Sequence, residues 1–151
     1  MHASVTLHMN AEPLTVWNLV SDITQMGSYS PEVFEAEWLD GATGPELGAR
    51  YRGHVKRNEI GPIYWTTCEV TECAPGEVFE FAVIISGKAA NTWRYEFVAV
   101  DGGTDVTESF HLADNILTKL WRPLGGFLRE NRNRKDMLRT LERIKAVAEA
   151  A

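Results

Sequence analysis

Two predicted strands each contain one charged residue at a position where the alternation of the strand calls for an apolar, inward-facing one. Glu108 lies between Val106 and Phe110, and Arg57 continues the inward phase of an earlier strand. Burying an unpaired charge is costly, so such residues need a partner. One interpretation is an ion pair of Glu108 with Arg57 or with Arg134 of the C-terminal segment. The other is a carboxyl of raised pKa that orients a ligand hydroxyl or transfers a proton.

The catalytic candidates are accordingly Glu108, Tyr95 and Arg57. Other sequence patterns that carry chemistry are missing: no G-x-G-x-x-G follows a strand, and there is no Walker G-K-[ST] and no H-E-x-x-H. Cys68 and Cys73 are five residues apart, which matches neither a redox pair nor a set of zinc ligands. We therefore expect no metal and no cofactor.

The composition is that of an ordinary globular domain. The chain has 151 residues, of which 44% are hydrophobic and 24% are charged, so residues 1–151 are expected to form one domain with its own core. No apolar run is long enough to span a bilayer, and no basic and apolar leader opens the chain. We expect a cytoplasmic protein that is not an integral membrane protein. Its oligomeric state is left open.

The net charge of −6 is divided unevenly along the chain. Residues 115–151 hold nine Lys/Arg and four Asp/Glu, which leaves six and seventeen for the rest of the chain. We interpret this as a basic helix that packs on an acidic sheet, and we expect no nucleic acid, because no continuous basic stripe with interleaved aromatic residues is present. An interaction protein that uses this helix is the alternative.

Strands are predicted for most of the chain before the C-terminal helix. Val5 to Met9 alternate as a first strand, two short helices follow near Pro13 and after the capping Asp22, and about six further strands are separated by Gly/Pro turns. Pro123 to Gly126 predict a break before the C-terminal helix. This helix is predicted because the following residues recur at steps of three and four: Phe127, Asn131, Arg134, Leu138, Leu141, Ile144 and Ala148. The pattern predicts an α+β fold in which an antiparallel sheet curls around this helix and leaves a hollow.

Several short segments resemble one family. They are Gly48-Ala49-Arg50-Tyr51-Arg52-Gly53, Trp93-Arg94-Tyr95, Gly103-Thr104-Asp105-Val106-Thr107-Glu108 and Thr140-Leu141-Glu142-Arg143-Ile144-Lys145. Together they are similar to the polyketide cyclase/dehydrase branch of the START-like (SRPBCC) superfamily. The resemblance implies a helix-grip fold of about seven strands around an apolar cavity. Members bind lipids, sterols, polyketides or other hydrophobic molecules, and a minority cyclise or dehydrate polyketides.

Such a cavity is lined by inward strand residues and one face of the helix. The expected ligand-binding residues on the strands are Tyr51, Val55, Trp65, Phe79, Phe81, Val83, Trp93, Tyr95, Phe97, Glu108 and Phe110. Those on the helical segment are Leu124, Phe127, Asn131 and Arg134. The aromatic residues are bulky enough to fill the hollow instead. The expected function is binding of a small hydrophobic molecule, such as a lipid, polyketide or aromatic metabolite, and the alternative is a polyketide aromatase/cyclase.

Overall fold

A computed structural model describes residues 2–56, 62–112 and 127–150, with side chains in the last segment from residue 133 onward. The helices are α1 (Pro13–Ser21), a 3-10 helix (Ile23–Ser28) and α2 (Phe127–Ala150). The strands are β1 (His2–Met9), β2 (Val33–Trp38), β3 (Arg50–Lys56), β4 (Ile63–Ala74), β5 (Val78–Ile85), β6 (Lys88–Val100) and β7 (Gly103–Leu112). The predicted break at Pro123 to Gly126 lies outside the described residues.

The seven strands form one antiparallel sheet in the order β1-β7-β6-β5-β4-β3-β2. Strands β2 to β7 follow each other as neighbours, and β1 is added beside β7. The register shifts between Val70 and Glu72 of β4 and between Val83 and Ile84 of β5. Such bulges bend a strand and increase its twist. The sheet is curved and carries the C-terminal helix, which confirms the predicted α+β helix-grip fold.

Two tight turns connect the central strands. Asp101 and Gly102 between β6 and β7 have φ values of 46 and 76°, and Ser86 and Gly87 between β5 and β6 have φ values of 54 and 76°. Two successive residues of positive φ make the hairpin turn whose twist matches that of the flanking strands. These local choices fix the pairing of Tyr95 with Glu108 across β6 and β7.

The two helices after β1 begin as the sequence predicts. Pro13 occupies the first turn of α1, where its missing N–H costs nothing. The Asp22 carboxylate accepts a hydrogen bond from the backbone N–H of Thr24 at 3.2 Å and thereby caps the 3-10 helix. The indole N–H of Trp17 donates to the Val78 carbonyl at 2.9 Å and fixes α1 against β5.

Polar contacts of α2 attach its second half to the first elements of the chain. Lys145 donates to the carbonyl of His8 at 2.9 Å, and Arg143 donates to the carbonyl of Tyr29 at 3.1 Å. Glu149 accepts from the backbone N–H of Asn10 at 2.8 Å. Basic side chains of this helix therefore serve packing against the body of the protein. No helix in the described part of the chain is both long and apolar enough to cross a membrane.

Candidate ligand cavity

A space of about 400 Å³, called the candidate cavity below, lies between the concave face of the sheet and α2. Each strand from β3 to β7 contributes three alternate residues to its wall, as expected when one face of a pleated strand points inward. These triplets are Tyr51, Gly53 and Val55; Tyr64, Thr66 and Cys68; Phe81, Val83 and Ile85; Asn91, Trp93 and Tyr95; and Glu108, Phe110 and Leu112.

Three further parts of the chain complete the wall. Helix α1 and the 3-10 helix each contribute one apolar residue, Val20 and Met26, and the segment from Tyr29 to Val33 forms another side. Helix α2 contributes one turn after another along a single face: Asn133, Asp136, Thr140 and Ile144. Spacings of three and four residues place these side chains on the same side of the helix.

A hydrogen bond between a tyrosine and a glutamate lies in the wall of the candidate cavity. The Tyr95 hydroxyl donates to Oε1 of Glu108 at 2.8 Å, and the two residues face each other across β6 and β7. Glu108 is only 3% exposed, and its second oxygen, Oε2, has no hydrogen-bond partner. No ion pair to Glu108 occurs among the described residues.

This environment keeps Glu108 protonated near neutral pH. Burial raises the pKa of Glu108 from 4.5 to about 8, against the opposing effect of the Tyr95 hydrogen bond, and the Asp136 carboxylate raises it further. Burial, followed by the nearby Glu108, raises the pKa of Tyr95 well above its usual value. A neutral carboxyl can donate a hydrogen bond, which a carboxylate cannot do.

Other buried polar atoms of the cavity wall lack a strong hydrogen bond. Among them are the Asn91 side-chain oxygen and the Asn133 side-chain nitrogen, which have no partner, and the Tyr51 hydroxyl, which has only the Cys68 thiol beside it. Burial and the neighbouring Cys68 thiol raise the pKa of Tyr51 well above its usual value. Burial raises the pKa of Cys68 to about 11, so this thiol is neutral and unreactive. All four tyrosines of the chain line the candidate cavity.

Most of the strand residues expected to bind a ligand are brought together in this wall. They are Tyr51, Val55, Phe81, Val83, Trp93, Tyr95, Glu108 and Phe110. Phe79 and Phe97 face inward but do not reach the cavity; they are buried with Val16 and Trp17 in the core beneath α1. Alternation alone cannot separate these two groups, because core and cavity residues share one face of the sheet.

Trp65 does not face the candidate cavity, in contrast to its prediction. It pairs with His54 across β3 and β4, and its ring stacks on the imidazole with centroids 4.1 Å apart on the outer face of the sheet. The Arg52 guanidinium lies 4.1 Å above the same ring. Tyr64 and Thr66 occupy the inner positions instead. A shift of one residue exchanges the two faces of a strand.

The predicted face of the C-terminal helix also differs from the observed one. Arg134 is exposed and Leu138 is 39% exposed, so neither belongs to the cavity wall. The buried stripe contains Leu141, Ile144 and Ala148, as predicted, together with Asn133, Met137 and Thr140. The ion pair of Glu108 with Arg134 is therefore not formed. Arg57 and Leu124, and the side chains of Phe127 and Asn131, lie outside the described residues.

Several wall residues were not predicted, although the sequence contains a signal for some. Cys68 and Asn91 stand in the inward phase of β4 and β6, and Asn133 and Asp136 are in helical register with Thr140. The wall formed by Tyr29 to Val33 has no such periodicity. Its position follows from the packing of the 3-10 helix on β2. Among the described residues, no group of three His, Cys, Asp or Glu could hold a metal ion.

A curved antiparallel sheet that holds a long C-terminal helix, with a space between them, defines the helix-grip class of proteins. Within this class, the family model described as "Polyketide cyclase / dehydrase and lipid transport" matches residues 1–149. The chain belongs to this family. None of the curated protein sequences matches it.

Solved structures share the fold at low sequence identity. The Zhui aromatase/cyclase from Streptomyces sp. R1128 has a TM-score of 0.75 at 15% identity, covering 99% of this chain and 93% of that one. TTHA0849 from Thermus thermophilus has a TM-score of 0.69 at 18% identity, with 98% and 99% covered. The Polyketide_cyc-like protein Cgl2372 from Corynebacterium glutamicum has a TM-score of 0.53 at 26% identity, with 98% and 85% covered.

Proposed function

We propose that residues 1–151 form one START-like domain that binds a small hydrophobic molecule in the candidate cavity, between the sheet and α2. A volume of about 400 Å³ is within the range of small-molecule sites. The wall combines large apolar side chains, among them Phe81, Trp93 and Phe110, with a few polar groups. Such a wall suits a ligand with a ring system and one or two oxygen atoms.

The observation that carries the proposal is the convergence of unpaired polar atoms on this space. A buried polar atom without a partner costs about 1–3 kcal/mol, and native proteins contain few of them. Here Oε2 of Glu108 and the amide nitrogen of Asn133 lack partners, and the Tyr51 hydroxyl has only the weakly hydrogen-bonding Cys68 thiol beside it; all three residues line the same space. A ligand that supplies the missing hydrogen bonds removes this cost.

Blocking the space tests the proposal. The probe is methyl naphthyl ketone, which is small enough for the cavity, and binding is measured by isothermal titration calorimetry. Val83→Trp fills the wall from the inside, whereas Val98→Trp places the same ring on the outer face, where the native valine is 56% exposed.

We expect the wild type and Val98→Trp to bind the probe and Val83→Trp to lose binding. Circular dichroism checks that both variants are folded, and Thr66→Phe is a second blocking variant on another strand. Equal binding by all four proteins would place the ligand elsewhere and reject the proposal. Native mass spectrometry of the gently purified protein should also show a bound hydrophobic compound.

The second candidate function is a polyketide aromatase/cyclase-type enzyme. Glu108 favours it, because a carboxyl with a pKa of about 8 holds a proton at neutral pH. It can protonate the β-hydroxyl, which leaves as water, and the carboxylate so formed can accept the α-proton, which restores the acid. Tyr95 holds this carboxyl in place through its hydrogen bond. Arg57 remains a predicted participant. Glu108→Gln should then abolish dehydration of a β-hydroxy ketone in a folded protein, and unchanged turnover would exclude Glu108 from the chemistry.

The partner expected for this domain is a small hydrophobic ligand. A cytoplasmic location, the absence of a cofactor and the absence of nucleic-acid binding stay predictions. Retention on DNA or RNA at low salt would contradict the last of these.

A further inference from the structure

The described part of the cavity wall reaches solvent at one end of the sheet. Tyr64 and Ile85 are the most exposed of the described wall residues, at 38% and 61%. Tyr64 lies at the start of β4 and Ile85 at the end of β5, and the pairing of Thr67 with Ile84 brings these two strand ends side by side. The tips of the β3–β4 and β5–β6 pairs therefore meet at an edge of the candidate cavity.

These tips present large apolar side chains next to lysines. Ile63, which is 55% exposed, pairs with Lys56 at the end of β3, and Ile85 pairs with Lys88 at the start of β6. The tip surface, as it is called below, comprises six exposed residues: Lys56, Ile63, Tyr64, Trp65, Ile85 and Lys88. The sequence has no aspartate or glutamate in residues 62–66 or 84–91.

The opposite end of the sheet is acidic. Its connections are residues 10–12, 39–49, 75–77 and 101–102, and they contain no lysine or arginine. They contain these exposed acidic residues: Glu12, Asp40, Glu46, Glu77 and Asp101. The exposed Leu47 at this end thus stands in acidic surroundings, whereas the exposed apolar residues of the tip surface stand beside lysines.

The distance between the two ends lets them act separately on a charged partner. Strand β5 has eight residues and β7 has ten, so the ends lie about 30 Å apart. This is about three times the Debye length at 0.1 M salt. At the tip end, Glu32 is half-buried, and the Glu35 carboxylate lies 2.7 Å from Nδ1 of His54. A negative surface near the tips is attracted by the lysines and hardly repelled by the distant carboxylates, although the net charge is −6.

We propose that the tip surface docks on an anionic lipid membrane, with an edge of the candidate cavity turned towards the bilayer. The exposed isoleucines enter the boundary between headgroups and acyl chains, and the lysines bind anionic headgroups. Tyr64 and Trp65 suit this boundary because each joins an apolar ring to a polar group. Lysine is depleted in protein–protein interfaces, which argues against a protein partner. Docking uses the outside of the protein and does not depend on what the cavity binds.

Vesicle sedimentation with the full chain tests the proposal. The probes are vesicles of phosphatidylcholine with about 30% phosphatidylserine, and vesicles of phosphatidylcholine alone. We expect the wild type to bind the anionic vesicles at least about tenfold more tightly than the neutral ones. Raising the salt to about 1 M should remove most of this preference, because the Debye length falls to about 3 Å.

Substitutions at the two ends of the sheet locate the docking surface. Lys56→Gln and Lys88→Gln should each weaken binding to the anionic vesicles about fivefold. The control Thr43→Glu lowers the net charge by the same amount at the acidic end and should change binding less than about twofold.

A second pair of variants tests the apolar contact. Ile63→Asp should weaken binding at least about tenfold, because it removes an inserted side chain and adds a negative charge. Ile63 is not among the described wall residues, so the candidate cavity keeps its lining. The control Leu47→Asp makes a similar change at a side chain that is 69% exposed at the acidic end, and it should leave binding unchanged.

The outcomes separate docking from ligand binding. Val83→Trp, which fills the cavity, should bind vesicles as the wild type does, even if no ligand enters. Absence of vesicle binding, or equal losses in Ile63→Asp and Leu47→Asp, would overturn the proposal. A tip surface that joins two copies of the chain would also overturn it; Ile63→Asp would then change the elution volume of a protein that binds no vesicles. If Ile63→Asp does not fold, the two lysine variants decide.

Discussion

Replacing Glu108 with glutamine should remove a loss of stability that the native carboxyl imposes as the pH rises. The pKa of Glu108 is raised from 4.5 to about 8 in the folded protein, mainly by burial. Between these values the folded state keeps a proton that the unfolded state releases. Stability therefore decreases as the pH rises through this window, and it levels off above about pH 8.

The size of the effect follows from the two pKa values. Their difference, 8 minus 4.5, is 3.5 units, and one unit corresponds to about 1.4 kcal/mol. The whole window thus corresponds to about 5 kcal/mol, of which about 4 kcal/mol lies between about pH 5 and about pH 9. This is a large part of the total stability of a domain, which is about 5–15 kcal/mol. Glu108 is 3% exposed, so solvent screening does not reduce it much.

Urea unfolding followed by tryptophan fluorescence measures this difference. Glutamine keeps an oxygen for the Tyr95 hydroxyl but cannot ionise. From about pH 5 to about pH 9, we expect the unfolding free energy of the wild type to fall by about 4 kcal/mol relative to that of Glu108→Gln. The unfolding free energy of the control Glu77→Gln, at an exposed position, should change with pH as that of the wild type does.

If the unfolding free energies of Glu108→Gln and the wild type changed with pH in the same way, the reasoning would be refuted. It would mean that Glu108 ionises in the folded protein near its ordinary pKa, because water or a cation reaches it. The Glu108 carboxyl would then not be a hydrogen-bond donor in the cavity wall at neutral pH.

Two further substitutions test the site and the fold. Tyr95→Phe removes the donor to Glu108, so we expect the unfolding free energy to fall by about 1–3 kcal/mol and the pKa of Glu108 to rise further. A fall in unfolding free energy of only a few tenths of a kcal/mol would mean that water replaces the hydroxyl. At Gly27 an added Cβ would lie 2.2 Å from the carbonyl oxygen of Phe34, whereas at Gly53 the nearest atom is 3.5 Å away. Gly27→Ala should therefore cost about 1–3 kcal/mol in thermal or urea unfolding, with Gly53→Ala as the tolerated control, and equal stability of the two would show that β2 gives way.

Much of the cavity wall could be predicted because strand alternation is a local property. Phe81, Val83, Trp93 and Phe110 face inward wherever the strand lies, as long as its phase is read correctly. The predicted phase is wrong at Trp65, where a dense run of aromatic and β-branched residues fits either face. The structure resolves it through the pairing with His54.

The inward face of the C-terminal helix was also predicted only in part, here from a period of 3.6 residues instead of two. Residues of α2 near its C-terminus, such as Leu141 and Ile144, are buried as predicted. Arg134 is exposed and Asn133 is buried, since one residue corresponds to a rotation of about 100°. Polar residues that face a cavity weaken the apolar signal that periodicity depends on.

The order of the elements, the hairpin at Asp101-Gly102 and the family could be predicted from the sequence, because they depend on residues close together in the chain or on short matching segments. The three-dimensional packing was needed to show that Phe79 belongs to the core and Phe81 to the cavity wall, and that Glu108 contacts a tyrosine hydroxyl instead of an arginine. These outcomes depend on which strands pair and on where α2 crosses the sheet. Burial, and with it the raised pKa of Glu108, is set by groups far apart in the sequence that come together only in the fold.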